Sequence, residues 1–246
     1  MKKNLYAFAM CRSMFCALPF PGNLWDEEAR GRMLLFLPLV GVEIGALWAL
    51  AAWACRWLDL PVLVTGLVIA LVPWALTGGI HLDGFMDVTD AVRSWRDVER
   101  RREILKDSHV GSFAVVGLAM VLLTQFAFAA SVPEKAGVGI LVLLPAVSRC
   151  GSALAVTALS PMSTSQYAAQ KKPKSHLVIL GAMTLALLGA GFGLFGKYGF
   201  VLVGCLAGYG LALRRGYQSL EGMNGDIAGY ALTLGELWGL AVYALI

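Results

Sequence analysis

The sequence predicts an all-α polytopic integral membrane protein of about seven transmembrane helices, with an acidic helix on the cytoplasmic side, forming one domain over residues 1–246. Composition is the first reason: 58% of the 246 residues are hydrophobic and only 15% charged, against roughly 45–50% apolar and about 25% charged in soluble domains. The second is that apolar segments recur at 34–55, 60–80, 111–130, 138–159, 177–194, 199–213 and 227–245. At 1.5 Å per residue, about 20 residues match a hydrocarbon core of about 30 Å. The third is the placement of the cations. With the N-terminus inside, Lys2, Lys3, Arg12, Arg30, Arg32, Arg93, Arg96, Arg100, Arg101, Arg102, Lys106, Lys171, Lys172, Lys174, Arg214 and Arg215 all fall on the inner side. Only Arg56, Lys135 and Lys197 fall outside, as the positive-inside rule requires, and Arg149 lies within a span. These features exclude a soluble enzyme, a secreted module and a disordered chain.

Taken in order, residues 5–20 read as an interfacial or half-inserted stretch broken by Pro19. Its apolar run is interrupted by Arg12 and continues into Pro21 and Trp25-Asp26-Glu27-Glu28, so it reads as mature sequence rather than a signal peptide. The fifth and sixth segments are short and are expected either to span or to form a partly re-entrant pair buried in protein. Outer connections are brief, which leaves the inner side for any sizeable polar site. The net charge of +4 is modest and is absorbed by topology, so no nucleic-acid partner is expected. Cys11, Cys16, Cys55, Cys150 and Cys205 are scattered and form no CxxC pair. Small residues along the spans permit close packing within one chain or between copies, which is compatible with a homo-oligomer.

The most informative stretch runs from Thr77-Gly78-Gly79 through His81, Asp83, Asp87 and Asp90 to Arg93. Gly78-Gly79 allows a bend where an apolar span ends. Asp83, Asp87 and Asp90 are spaced i, i+4, i+7, so at 100° per residue they fall at about 0°, 40° and −20°, one narrow stripe of a helix. Like charges so arranged repel. A divalent cation relieves that repulsion, and hard Mg²⁺ favours carboxylate, water and phosphate oxygens. The alternative is an interfacial helix with a solvated acidic face. His81 is either an acid/base group or a hydrogen-bonded cap residue; Arg93 holds a phosphate or pairs with Asp90.

Further candidates follow along the chain. Arg96, Arg100, Arg101 and Arg102 read as anchors at anionic headgroups, or as cations that draw in an anionic substrate. Lys106, Ser108 and His109 are candidate phosphate contacts, with Asp107 a further carboxylate, unless they only mark a membrane boundary. Arg149, within the fourth span, needs Glu43, Glu236 or a bound phosphate as partner. In the last connection Gly222 and Gly225 flank Asn224, and Asp226 is either an N-cap or a metal ligand. No nucleotide-binding P-loop, Rossmann fingerprint or serine-hydrolase elbow is present.

Four blocks of these residues resemble the cobalamin synthase family, the adenosylcobinamide-GDP ribazoletransferases. They are Leu18-Pro19-Phe20-Pro21 with Arg30-Gly31 and Pro38-Leu39-Val40-Gly41; Gly78-Gly79-Ile80-His81-Leu82-Asp83-Gly84 with Asp87, Asp90 and Lys106-Asp107-Ser108 to Gly111; Ser148-Arg149; and Gly222, Gly225-Asp226, Gly229 with Gly235-Glu236. Departures from the family pattern fall at Ala17, Ala91, His109, Glu221 and Asn224 and leave the acidic motif intact. The resemblance implies transfer of adenosylcobinamide phosphate from adenosylcobinamide-GDP to α-ribazole or its 5′-phosphate, with release of GMP. It implies one or two Mg²⁺ ions on Asp83, Asp87, Asp90, Asp107 and Asp226, with proton transfer by His81 or one of the first three. Phosphate contacts would come from Arg93, Lys106, Ser108, Arg149 and Asn224. The location would be the cell inner membrane, among lipid, with the site facing the cytoplasm. A CDP-alcohol phosphotransferase is the nearest rival, but the Ala-Arg expected after Asp83-Gly84 is absent. A cation-coupled transporter using Glu43, Arg149 and Glu236 is the second rival, and no inverted repeat is visible to support it.

Overall fold

The computed structural model describes residues 2–20, 25–133, 136–163, 165 and 173–246; Pro21, Lys135, Lys171 and Lys172 lie outside the described residues. Described residues form helices α1 (Lys2–Phe15), α2 (Glu27–Arg30), α3 (Leu37–Trp57), α4 (Val62–Leu76), α5 (Ile80–Arg93) and α6 (Val98–Ile104), followed by α7 (Ser112–Ser131), α8 (Ile140–Ala158), α9 (Lys174–Phe195), α10 (Phe200–Leu220) and α11 (Gly225–Leu245). By length and apolarity five stretches qualify as membrane spans, or six if the bent α4–α5 pair is one; one of the five, Lys174–Leu220, contains both α9 and α10. The seven long helices α3, α4, α7, α8, α9, α10 and α11 account for the seven predicted segments.

Three of those segments differ from expectation. The fifth and sixth are not short: α9 has 22 residues and α10 has 21, parted by a 3-10 turn where Gly196 takes φ +56°. Lys174 and the Arg214–Arg215 pair extend these helices past their apolar cores, which is why hydropathy alone shortened them. The second segment is a 15-residue helix, α4, that ends at Leu76 and hands over to α5 at 91°. Gly78 (φ +63°) and Gly79 (φ +77°) make that corner with two successive left-handed residues, a conformation costly for any side chain with a Cβ. α5 therefore leaves the spanning direction.

Packing radiates from α8 and α11. α8 is buried over almost its whole length, with Ile140, Leu141, Leu144, Ala146 and Val147 fully enclosed. α3 packs along it, and α10 and α11 form the most extensive helix pair. One apolar cluster joins Leu37, Val40, Phe85, Val88, Val156, Ile227 and Tyr230 at the end where α5 lies. A second joins Trp48, Ala52, Ile69, Leu141, Leu202, Leu240 and Tyr243 at the opposite end. Outward faces are apolar as well: Leu50 and Trp53 on α3, Leu63 and Leu67 on α4, Leu123 on α7 and Leu185 and Leu194 on α9 are exposed. Such continuous apolar surface belongs against lipid.

The α5–α11 contact fixes the acidic helix. A Cβ on Gly84 would stand 2.9 Å from the Asp226 backbone, and one on Gly229 would stand 3.2 Å from the His81 carbonyl. Thr233 Oγ1 adds a hydrogen bond to that carbonyl at 3.2 Å. Gly84→Val is expected to force the helices apart and cost about 1–3 kcal/mol, as overpacking typically does; thermal unfolding in detergent, compared with the parent, measures it.

Candidate active site

α5 presents its acidic stripe to a crevice of about 30 Å³ lined by Asp83, Asp87, Asp90, Asp107, His109 and Gly111. The stripe predicted from spacing is thus real, and Asp107 joins it from the connection before α7. Asp226 reaches the same neighbourhood through the Gly84 contact. Asp87 records the crowding: burial first, then the charges of Asp83, Asp226 and Asp90, push its carboxyl up to about 6. Asp107 is held the other way, below the ordinary carboxylate range, because the His109 backbone N–H donates to its Oδ1 at 3.0 Å and His109 Nδ1 lies 2.7 Å from the same oxygen. Asp90 also serves the fold: the Ala114 N–H in the first turn of α7 donates to it at 3.4 Å, and a Cβ on Gly111 would collide with its carboxylate.

Two cavities flank the crevice and share its carboxylates. Beyond Asp90 opens a wide polar cleft of about 590 Å³ with Ser94, Arg96, Asp97 and Arg100 on its walls. On the Asp83 side lies a pocket of about 120 Å³, lined by Phe15, Leu37, His81, Ser152, Val156, Asp226 and Leu232 among others. His81 faces this second pocket and is buried. The carboxylate row therefore runs between a polar cleft and a largely apolar hole.

Other predicted residues are placed differently. Asn224, not Asp226, caps α11: its Oδ1 accepts from the Ile227 N–H at 3.0 Å and its Nδ2 donates to Asp226 Oδ2 at 2.6 Å. The amide is thereby spent on fixing Asp226. Arg149 is 1% exposed and takes Glu236 as partner at 2.8 Å, with Ser148 Oγ donating to the same carboxylate oxygen at 2.7 Å. Glu43 pairs instead with Arg12 at 2.6 Å. Arg93 makes no ion pair among the described residues and opens onto a separate slot with Arg215 and Tyr230. Lys106 and Ser108 are exposed beside Asp107. Arg101 and Arg102, expected as lipid anchors, donate to the Ser219, Leu220 and Glu221 carbonyls at the end of α10, where a helix C-terminus offers unsatisfied acceptors. The residues that sequence reasoning missed are those of the small pocket: Phe15, Ser152 and Val156 come from distant helices, and only Ser152, an intramembrane polar residue close to Arg149, carried a signal.

Oxygen donors of this kind suit Mg²⁺. Among the described residues no three acidic, histidine or cysteine side chains already close on a common point. An ion there would keep several waters and take substrate phosphate oxygens, since these residues form no all-protein cage. Asp83, Asp87, Asp90, Asp107 and Asp226 are the residues that would hold it.

A bundle of apolar helices with a carboxylate-lined crevice at one end, between two cavities, defines a polytopic membrane protein whose polar chemistry sits at the bundle's end. The chain belongs to the cobalamin-5-phosphate synthase family, whose model matches residues 7–244. It is similar to adenosylcobinamide-GDP ribazoletransferases from Clostridium perfringens (34% identical, covering the whole of both chains), Clostridium botulinum (32%, 97% of each) and Clostridioides difficile (26%, 97% of each). No solved structure matches the chain.

Two outcomes test these placements. A carboxyl pushed up in the fold binds its proton more tightly folded than unfolded, so stability falls as pH rises toward about 6 and stays lower above it. Asp87→Asn is expected to raise the melting temperature of metal-free protein at neutral pH, the gain shrinking toward about pH 4. Arg149→Leu strands the Glu236 charge and is expected to cost about 3–5 kcal/mol. The double variant with Glu236→Leu is expected to recover most of that stability and to keep turnover; loss of turnover at restored stability would make Arg149 a substrate contact.

Proposed function

We propose that the chain transfers the adenosylcobinamide phosphate moiety of adenosylcobinamide-GDP onto α-ribazole or α-ribazole 5′-phosphate, forming a new phosphodiester and releasing GMP. The observation that carries this reading is the family match across residues 7–244, in a chain whose matched acidic block lines one crevice. The protein sits in the cell inner membrane with that crevice facing the cytoplasm, as the cation distribution supports.

The residues divide the work by position. Arg96 and Arg100, on the cleft beyond Asp90, attract the guanosine diphosphate end of the donor and orient it toward the carboxylate row. Lys106, exposed beside Asp107, balances phosphate charge. Asp83, Asp87, Asp90, Asp107 and Asp226 are the residues that would hold Mg²⁺, which would supply positive charge against the diphosphate and the departing GMP. One carboxylate of the row takes the proton from the attacking ribazole hydroxyl. The corrinoid, part apolar and part charged, arrives along the membrane–water boundary where the bundle ends.

Membranes containing the chain are expected to release GMP and form the cobalamin product when given Mg²⁺, adenosylcobinamide-GDP and α-ribazole, with products identified by mass. Asp83→Asn and Asp87→Asn, compared at matched protein levels, are each expected to lower turnover by about a hundredfold or more. Near-parental turnover in both would overturn the reading.

A further inference from the structure

The small pocket beside Asp83 has a composition that the transfer chemistry does not use. Its walls are Met14 and Phe15 from α1, Leu34 and Leu37 at the start of α3, Val156 from α8 and Leu232 from α11. Within this apolar shell sit two buried polar side chains, Ser152 at 2% and His81 at 7% exposure. His81 Nε2 lacks a hydrogen-bond partner among the described residues, whereas Ser152 stands against the Tyr209 hydroxyl. Groups buried so deeply are ordinarily paired, because an unpaired one has given up its hydration with nothing in return. An unpaired imidazole nitrogen in the wall of the hole points to a ligand that supplies the missing partner.

The shape narrows the ligand. At about 120 Å³ the pocket is smaller than the roughly 300–1,000 Å³ of a whole small-molecule site, so it takes a fragment of a larger molecule. Phe15 lies nearly parallel to the His81 ring, with centroids 6.0 Å apart and planes 13° off, which gives one end of the hole flat walls. Asp83 and Asp226 stand among its lining residues, and Asp83 also lines the acidic crevice. A fragment seated here is thus attached to whatever reacts at the carboxylates. A lipid acyl chain offers nothing to His81. A nucleotide guanine, rich in donors and acceptors, would strand most of them in an apolar shell.

We infer that this pocket is the base subsite of the acceptor: it takes a flat, mainly apolar nitrogen heterocycle, the benzimidazole of ribazole, and presents His81 to its ring nitrogen. The inference rests on the transferase reading above. Seating the base here sets the ribose hydroxyl or phosphate on the Asp83 side, while the activated donor approaches from the cleft beyond Asp90. His81 then acts in recognition rather than proton transfer. Val156 and Leu232, on opposite helices, set how large a ring fits.

Steady-state kinetics in membranes separates the two readings. Val156→Phe narrows the hole and is expected to raise KM for α-ribazole about tenfold or more, the scale on which apolar pockets discriminate by size. KM for adenosylcobinamide-GDP should stay near the parental value, and the riboside of plain imidazole, a smaller ring, should be hurt less than α-ribazole. Leu232→Ala, which widens the hole, is the companion variant and is expected to shift preference toward acceptors with bulkier bases. Unchanged acceptor preference in both folded variants, or equal losses for donor and acceptor, would overturn the subsite. Absence of GMP release by the parent with every acceptor would instead overturn the transferase reading itself.

Discussion

The corner at Gly78–Gly79 is the constraint on which the site depends. Two consecutive left-handed residues end α4 after 15 residues and swing α5 through 91°. Were the helix to continue straight, Asp83, Asp87, Asp90 and Arg93 would be carried onward along the spanning direction, where charged side chains are costly unless they face a cavity or a partner. The turn instead lays the acidic stripe along the end of the bundle. Gly84 and Gly229 then let α5 lie close enough to α11 for Asp226 to join the stripe from a segment more than 130 residues away. Two glycines set the direction and two set the distance.

Charge is handled in two ways in this fold, and the contrast marks where function lies. In the bundle core Arg149 and Glu236 neutralise each other, with Ser148 completing the carboxylate's hydrogen bonds; Arg12 and Glu43 do the same nearer the N-terminal helix. Those pairs hold helices together at little net gain, because desolvation offsets most of the attraction. Along α5 the opposite holds. Asp83, Asp87, Asp90 and Asp226 act on one another as like charges, and Asp87 carries the consequence in its raised carboxyl. Carboxylates kept together at that cost, while acids elsewhere are paired, set the α5 row apart from the rest of the fold.

The parts legible in the sequence are those governed by local periodicity. A stripe at i, i+4, i+7 requires only that the segment be helical, and apolar runs require only a hydrocarbon thickness, so α5 and the long helices follow from spacing and hydropathy. Partner choice in three dimensions did not follow. Arg149 had Glu43 and Glu236 as equal candidates because both are intramembrane acids; only the packing of α8 on α11 selects Glu236. Asp226 was as good a cap as Asn224 by residue type, and the start of α11 at Gly225 decides for Asn224. The arginines of α6 looked like headgroup anchors because their composition says nothing of a helix end above them. The small pocket was invisible for the same reason: its lining comes from α1, α3, α5, α8 and α11, and no single stretch carries its pattern.

The two walls of the crevice are held by different forces. The inner wall, α5, is locked against α11 by backbone-to-backbone approach at glycine, which leaves no slack for sliding. The outer wall, α6 with the connection to α7, has no buried residue in its helix. Leu105, just past the helix, is buried in the cluster of Phe85 and Tyr230; otherwise the wall is held by hydrogen bonds, chiefly those of Arg101 and Arg102 to the α10 carbonyls. Releasing such contacts exchanges one set of hydrogen bonds for another with water, at a net cost of about 0.5–1.5 kcal/mol each. Opening α5 would instead undo apolar burial shared with Val88, Ile227 and Tyr230. Asp83, Asp87 and Asp90 are therefore fixed to the bundle by apolar burial, while Asp107 stands on a wall held mainly by hydrogen bonds.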